Sequence, residues 1–205
     1  MKIKSLLTAI ILTASILTGE ICRAQDSIDE FPRHDIQIGY GFISMLSVST
    51  LFMNALMTAF TSPLTGARTI TDVNSWGPLF VNYNFFPLKW LGFGLVVAYE
   101  ADNNRTTYSN GGYSDMNWQY TTFMLKVNFR YGWEWVKFYH GIAAGATYAK
   151  VNFADTTGIK STNDGALFAF HITAFGIRVG KTVGVFADIG IGYLGIVNVG
   201  VNFVF

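Results

Sequence analysis

Residues 197–205 read Val-Asn-Val-Gly-Val-Asn-Phe-Val-Phe, with an apolar side chain at every second position up to a terminal aromatic. An extended chain sends residues i, i+2 and i+4 to one face. Val197, Val199, Val201, Phe203 and Phe205 therefore form a single apolar stripe, and Asn198, Gly200 and Asn202 face the other way. In water such an edge templates aggregation. In a bilayer, where backbone polar groups must be satisfied within the protein, the same pattern suits a closed barrel with hydrocarbon outside and a narrow polar interior. The stripe predicts a location and an architecture before it predicts any activity.

The other end has the parts of a secretory signal: Met1-Lys2-Ile3-Lys4, an apolar run over 6–17, and Cys22-Arg23-Ala24 ahead of Gln25 and Asp26. The run is short of the ~20 residues that span a membrane as a helix. It predicts a signal peptide over 1–24, cleaved after Ala24, and one domain over 25–205. Cys22 follows the bulky Ile21, where lipoprotein processing needs a small residue, so cleavage without lipidation is expected. It is the single cysteine, and a processed chain would have neither a disulfide nor a thiol nucleophile. Cleavage would take Lys2, Lys4, Arg23 and Glu20 from the 14 basic and 13 acidic residues, leaving a balance near −1 that gives nucleic acid no footing. The chain is 51% hydrophobic and 13% charged, about half the ~25% charge of an ordinary soluble domain. Yet the apolar residues after the signal are interrupted throughout by Gly, Asn, Ser and Thr, which predicts spanning strands and not spanning helices.

Period-2 segments of about ten residues recur about eight times. Ile36, Ile38, Tyr40 and Phe42 alternate with Gln37, Gly39 and Gly41; Leu79, Val81, Tyr83 and Phe85 with Phe80, Asn82 and Asn84; Leu91, Phe93, Leu95, Val97 and Tyr99 with Gly92, Gly94 and Glu100. The clearest segment sets Phe123, Leu125, Val127, Phe129 and Tyr131 against Lys126, Asn128 and Arg130. Segments over 138–149 and 166–180 are less regular, with Ala174 marking a bulge where parity slips. The seventh places Ala187, Ile189, Ile191 and Tyr193 outside and Asp188, Gly190 and Gly192 inside. Tight turns are expected at 86–89, 132–135 and 180–182, long outward loops at about 43–75, 101–116 and 150–165, and a short link near Leu194-Gly195. Trp90, Trp133, Trp135, Phe86 and Tyr131 cluster at the tight-turn ends, where an aromatic girdle would sit at the headgroups. The prolines are expected outside the ladders, with Pro78 near a strand start.

The signal, the alternating segments and the terminal Phe together resemble the small outer-membrane β-barrels of Gram-negative bacteria, the class that includes outer-membrane protein X and the membrane domain of outer-membrane protein A. The resemblance implies an all-β, eight-stranded, antiparallel up-and-down transmembrane barrel with its carboxy terminus in the periplasm. It also implies that Phe203 and Phe205 are the signal read by the barrel-assembly machinery. It carries no catalytic motif. The chain departs from the class in its first connection, where residues 36–67 hold no charge and Val48, Leu51, Phe52, Ala55, Leu56, Ala59 and Phe60 recur at helical spacing.

A short helix there must place its apolar stripe somewhere: on the outer leaflet, over or in the barrel mouth, or against another protein. Val48, Leu51, Phe52, Leu56 and Phe60 are thus the candidate ligand or partner surface. Glu100, Lys126, Arg130, Arg178 and Asp188 are expected in the lumen. Charges at membrane depth often mark ion paths, but an eight-stranded interior is only wide enough to be filled by side chains, so opposite charges are expected to pair there as a structural core.

Gly190-Ile191-Gly192-Tyr193-Leu194-Gly195 matches GxGxxG, yet no helix and no acidic residue follow at the spacing a dinucleotide needs. Of the three histidines, His171 shares a strand face with Thr173 without an evident carboxylate to orient it, and His34 beside Asp35 reads as a solvated pair. Three scattered histidines without a mature cysteine predict no metal site. The expected function is non-enzymatic and cofactor-free. It is a structural or surface-interaction role through extracellular loops, with outer-membrane lipid, the assembly machinery, and lipopolysaccharide or another outer-membrane protein as partners. The alternative is passage or binding of small hydrophobic molecules gated by the first-loop helix.

Overall fold

The computed structural model describes residues 31–49, 51, 52, 55, 56, 70–107, 111–156 and 158–205. The signal peptide, its cleavage site, Cys22, Ala59 and Phe60 lie outside these residues. Within the unit Pro32–Phe205 the chain forms β1 (His34–Phe42), β2 (Ile70–Phe85), β3 (Leu91–Thr107), β4 (Tyr113–Gly132), β5 (Val136–Asp155), β6 (Lys160–Gly180), β7 (Val183–Gly192) and β8 (Val197–Val204). Each strand pairs antiparallel with the next, and β8 returns to β1 through Phe42↔Val197 to Asp35↔Val204. The ring is closed, which removes every sheet edge.

Parity decides what each side chain meets. Along β7 the pattern is strictly exposed, buried, exposed, buried, and Ile38, Leu95, Leu125, Ile172, Ile191 and Val201 all stand on the outer face. Inside, Phe80, Val96, Met124, Tyr139, Ala143, Ala169, Phe186 and Leu194 meet across the barrel, so the lumen is packed with side chains. Glycines make this possible. A Cβ on Gly176 would come within 2.3 Å of the Tyr139 ring, and one on Gly39 within 2.5 Å of Phe80.

Two interruptions bend the wall. The β6 register slips at Ala174, between Thr173↔Gly190 and Phe175↔Ile189, where the parity was expected to break. The β2 register slips between Trp76 and Leu79. Pro78 sits in that second irregularity, inside β2 and not at its start, because a residue without an N–H fits a ladder only where the ladder is already broken. Tyr193 and Phe86 also depart from expectation. Tyr193 turns inward beside the packed lumen, since the chain leaves the ladder at Gly192. Phe86 is 1% exposed and lies under the Arg130 guanidinium at 3.6 Å, so it plugs the barrel base while Trp90, Trp133, Trp135 and Tyr131 remain on the outer face.

The largest difference is height. Residues 101–107, 113–116, 150–155 and 160–165, expected as loop, are continuous strand. The β4–β5 ladder runs from Gly132↔Lys137 up to Ser114↔Asp155, and the β5–β6 ladder to Ala154↔Lys160. A bilayer needs only ~9–11 residues of tilted strand, so the 20 or 21 residues of β4, β5 and β6 continue far above the apolar belt. Water reaches both faces there, and residues 160–168 of β6 are exposed without alternation. Backbone pairing and polar cross-strand contacts hold these arms with no apolar period to announce them.

Candidate functional site

The barrel mouth is where the first connection meets β3, β4 and β5. Residues 45–49, 51, 52, 55 and 56 are helical. Ser44 caps the first turn: its hydroxyl accepts the Ser47 N–H at 3.0 Å, and its carbonyl accepts the Val48 N–H at 3.0 Å. Leu46 inserts into the mouth against Tyr120 and Ala149, with Trp118 and Tyr193 packed around it. The Ser44 and Ser47 hydroxyls both donate to Oε1 of Glu100, the second at 2.7 Å. The helix is thus pinned by one apolar and two polar contacts.

The predicted stripe lies on the other side of that helix. Val48, Leu51, Phe52 and Leu56 are 46%, 52%, 64% and 38% exposed. The expectation that the stripe must be buried is therefore corrected: the narrow, carboxylate-bearing mouth takes the small, hydroxyl-rich face through Leu46, and the broad apolar face is left outward.

Lys126, Arg178 and Asp188 are buried in the lumen, and Glu100 at its upper end. They do not form one cluster of opposite charges. Asp188 accepts from Tyr139 Oη at 2.8 Å and from Asn198 Nδ2 at 2.7 Å, and Lys126 Nζ lies 5.7 Å from the Tyr139 ring centre. Arg130 and Arg178 point to the barrel base. Arg130 donates to the carbonyls of Lys89 at 3.0 Å and Pro32 at 2.8 Å, and Arg178 to those of Gly180 at 2.8 Å and Lys181. Hydroxyls, amides and backbone carbonyls satisfy these charges because side chains arriving at different heights of a wall cannot all reach one another.

Sequence reasoning missed the polar chain at the base, where Asp35 accepts from Gln37 Nε2 and Asn202 Nδ2 at 3.0 Å each, and Gln37 in turn accepts from Asn82 at 2.8 Å. Asp35 is 4% exposed and is not a solvated partner of His34. Neighbours in a strand face opposite ways, and the His34 ring meets Tyr83 Oη at 2.8 Å and stacks on Phe205 at 5.2 Å. Also missed were Asp102 and Asn104, which continue the inner face of β3 above Glu100. The signal was there, since 100, 102 and 104 keep the period of two.

His171 and Thr173 are 1% and 3% exposed on the inner face of β6, enclosed in the lumen.

No family model matches the chain, and no curated protein matches it. Among solved structures it is similar to Ail, the attachment invasion locus protein of Yersinia pestis, at 15% identity and a TM-score of 0.44 over 85% of this chain and 96% of that one. It is similar also to Ail in complex with the heparin analogue sucrose octasulfate, at 14% identity and a TM-score of 0.42 with the same coverage. The closed ring of eight up-and-down strands, apolar without and polar within, fixes the architecture. This is a small outer-membrane-type β-barrel. The barrel holds its chemistry in two places, the packed lumen and the parts that stand beyond the belt.

Proposed function

We propose that this is a non-enzymatic outer-membrane protein that works by surface interaction, through the first-loop helix and the standing β3–β6 hairpins. The observation that carries the reading is the outward apolar face of Val48, Leu51, Phe52 and Leu56 above a lumen filled by Phe80, Met124, Tyr139 and Phe186. An apolar patch at the top of a barrel with no room to conduct is an interaction surface before it is a gate. A signal peptide over 1–24 would deliver the chain to the assembly machinery, and lipopolysaccharide, the neighbour on the outer side, is the first partner to test.

The test places an environment-sensitive fluorophore at Phe52→Cys in the refolded barrel. Bilayers with lipopolysaccharide in the outer leaflet are compared with phospholipid alone. A blue shift specific to lipopolysaccharide, abolished by Leu51→Asp without loss of barrel stability, supports the reading. A steady single-channel conductance from the same preparation, or a probe indifferent to every surface component and to Leu51→Asp, overturns it.

A further inference from the structure

Three oxygen-bearing side chains stand in a row on the inner face of β3 where it leaves the apolar belt. Glu100, Asp102 and Asn104 are 2%, 0% and 5% exposed. Alternate residues of a strand are ~7 Å apart, close enough for neighbours to share an ion. Above them the first-loop helix supplies the Ser44 and Ser47 hydroxyls already bound to Oε1 of Glu100. Beside them β4 sets Tyr120 opposite Glu100 and Trp118 opposite Asp102, with the two rings stacked 5.9 Å apart.

Charge and hydrogen bonding are both incomplete in this vestibule. The charge acting on Glu100 is the like charge of Asp102. The buried cation on β4, Lys126, is six residues along from Tyr120, roughly 20 Å down the wall. Two carboxylates buried side by side are costly unless a positive species joins them. Independently of the charges, both polar atoms of the Asn104 amide are buried without a partner, and so is Oε2 of Glu100. A buried amide on the carboxylate face, with its oxygen unused, is a ligand without its ion.

We infer that the vestibule binds a hard divalent cation of the calcium class, held by Glu100, Asp102 and the Asn104 amide oxygen and roofed by the Ser44 and Ser47 hydroxyls. Carboxylate, amide and hydroxyl oxygens are the donors such ions take, whereas zinc and copper favour nitrogen and sulfur. Among the described residues no three His, Cys, Asp or Glu come together, so two carboxylates carry the charge. That places the affinity in the weak extracellular class, on the order of 10⁻⁴–10⁻³ M. The ion would also tie β3 to the first-loop helix, because the serines that bind Glu100 belong to that segment.

Terbium, a luminescent stand-in for calcium, reports on this directly, since Trp118 and Tyr120 lie beside the proposed ligands and would sensitise it. The refolded barrel is titrated with Tb³⁺ in non-ionic detergent free of lipopolysaccharide. The expected result is a saturable emission displaced by Ca²⁺, weakened about tenfold or more by Asp102→Asn. Asn104→Asp, which adds a third carboxylate, is expected to bind about tenfold more tightly, so the test does not depend on loss alone. Ca²⁺ is also expected to raise the unfolding temperature of the unsubstituted chain and not that of Asp102→Asn. Absence of saturable emission, or emission unchanged by both Asp102→Asn and Asn104→Asp in folded protein, overturns the proposal.

Discussion

At the scale of single residues, the wall sorts adjacent side chains into opposite worlds. His34 faces outward against Phe205, and Asp35, one position on, is closed inside with Gln37 and Asn202. Asp35→Ala would strand two buried amide donors, each costing about 1–3 kcal/mol when left unmade. Urea unfolding of the barrel in detergent is expected to show a loss of that order, and Asp35→Asn, which keeps one acceptor, a smaller one. The sequence displayed the facing of Gln37 and Asn202 through parity alone. It did not display that Asn202 reaches Asp35, because the contact joins residues far apart in the chain and depends on how the ring closes. For the same reason the luminal charges were legible as inward residues but not as separate groups with separate partners.

At the scale of elements, the membrane half of each strand was legible and the upper half was not. Leu125 is 72% exposed midway along the apolar stripe of β4. Leu125→Arg is expected to destabilise the barrel by roughly 2–4 kcal/mol in liposomes, measured by reversible denaturation, the figure for a charge on the lipid face near the midplane. Above the belt the hairpins rest on polar pairs, of which Arg105 and Asp115 are the clearest. Arg105 Nε and Nη2 reach the two carboxylate oxygens at 2.7 and 2.9 Å. That bond, with the guanidinium charge, holds the Asp115 carboxyl below its ordinary range. A depressed carboxyl contributes its stability above its ordinary pKa and loses it as pH falls through the depressed value. Amide exchange at the top of the β3–β4 ladder should therefore be slower in the unsubstituted chain than in Asp115→Asn near neutrality, and the difference should vanish below about pH 4. A small effect is expected, since both side chains meet water. Such pairs leave no periodic trace, which is why Asn103, Thr106 and Ser114 read as loop and are strand.

At the scale of the molecule, closure is made at the β1–β8 seam. His34 N–H donates to the Phe205 carbonyl at 2.9 Å and Phe205 N–H to the His34 carbonyl at 3.0 Å, so the last residue locks the first strand. If Phe203 and Phe205 are the assembly signal, removing Phe205 should reduce the folded barrel recovered from cells several-fold. Spontaneous refolding of the same protein in detergent should proceed with only a modest loss of stability. Equal losses in both assays would mean that the residue serves the seam and not the machinery. The tall strands carry a further consequence for how this surface is free to diversify. Because the ladder runs unbroken from the lipid to the tips, adding one residue to an arm would turn every side chain above it to the opposite face. Change in length is tolerated only in matched pairs of residues on both arms of a hairpin, so variants of this outer surface should differ in height by even steps.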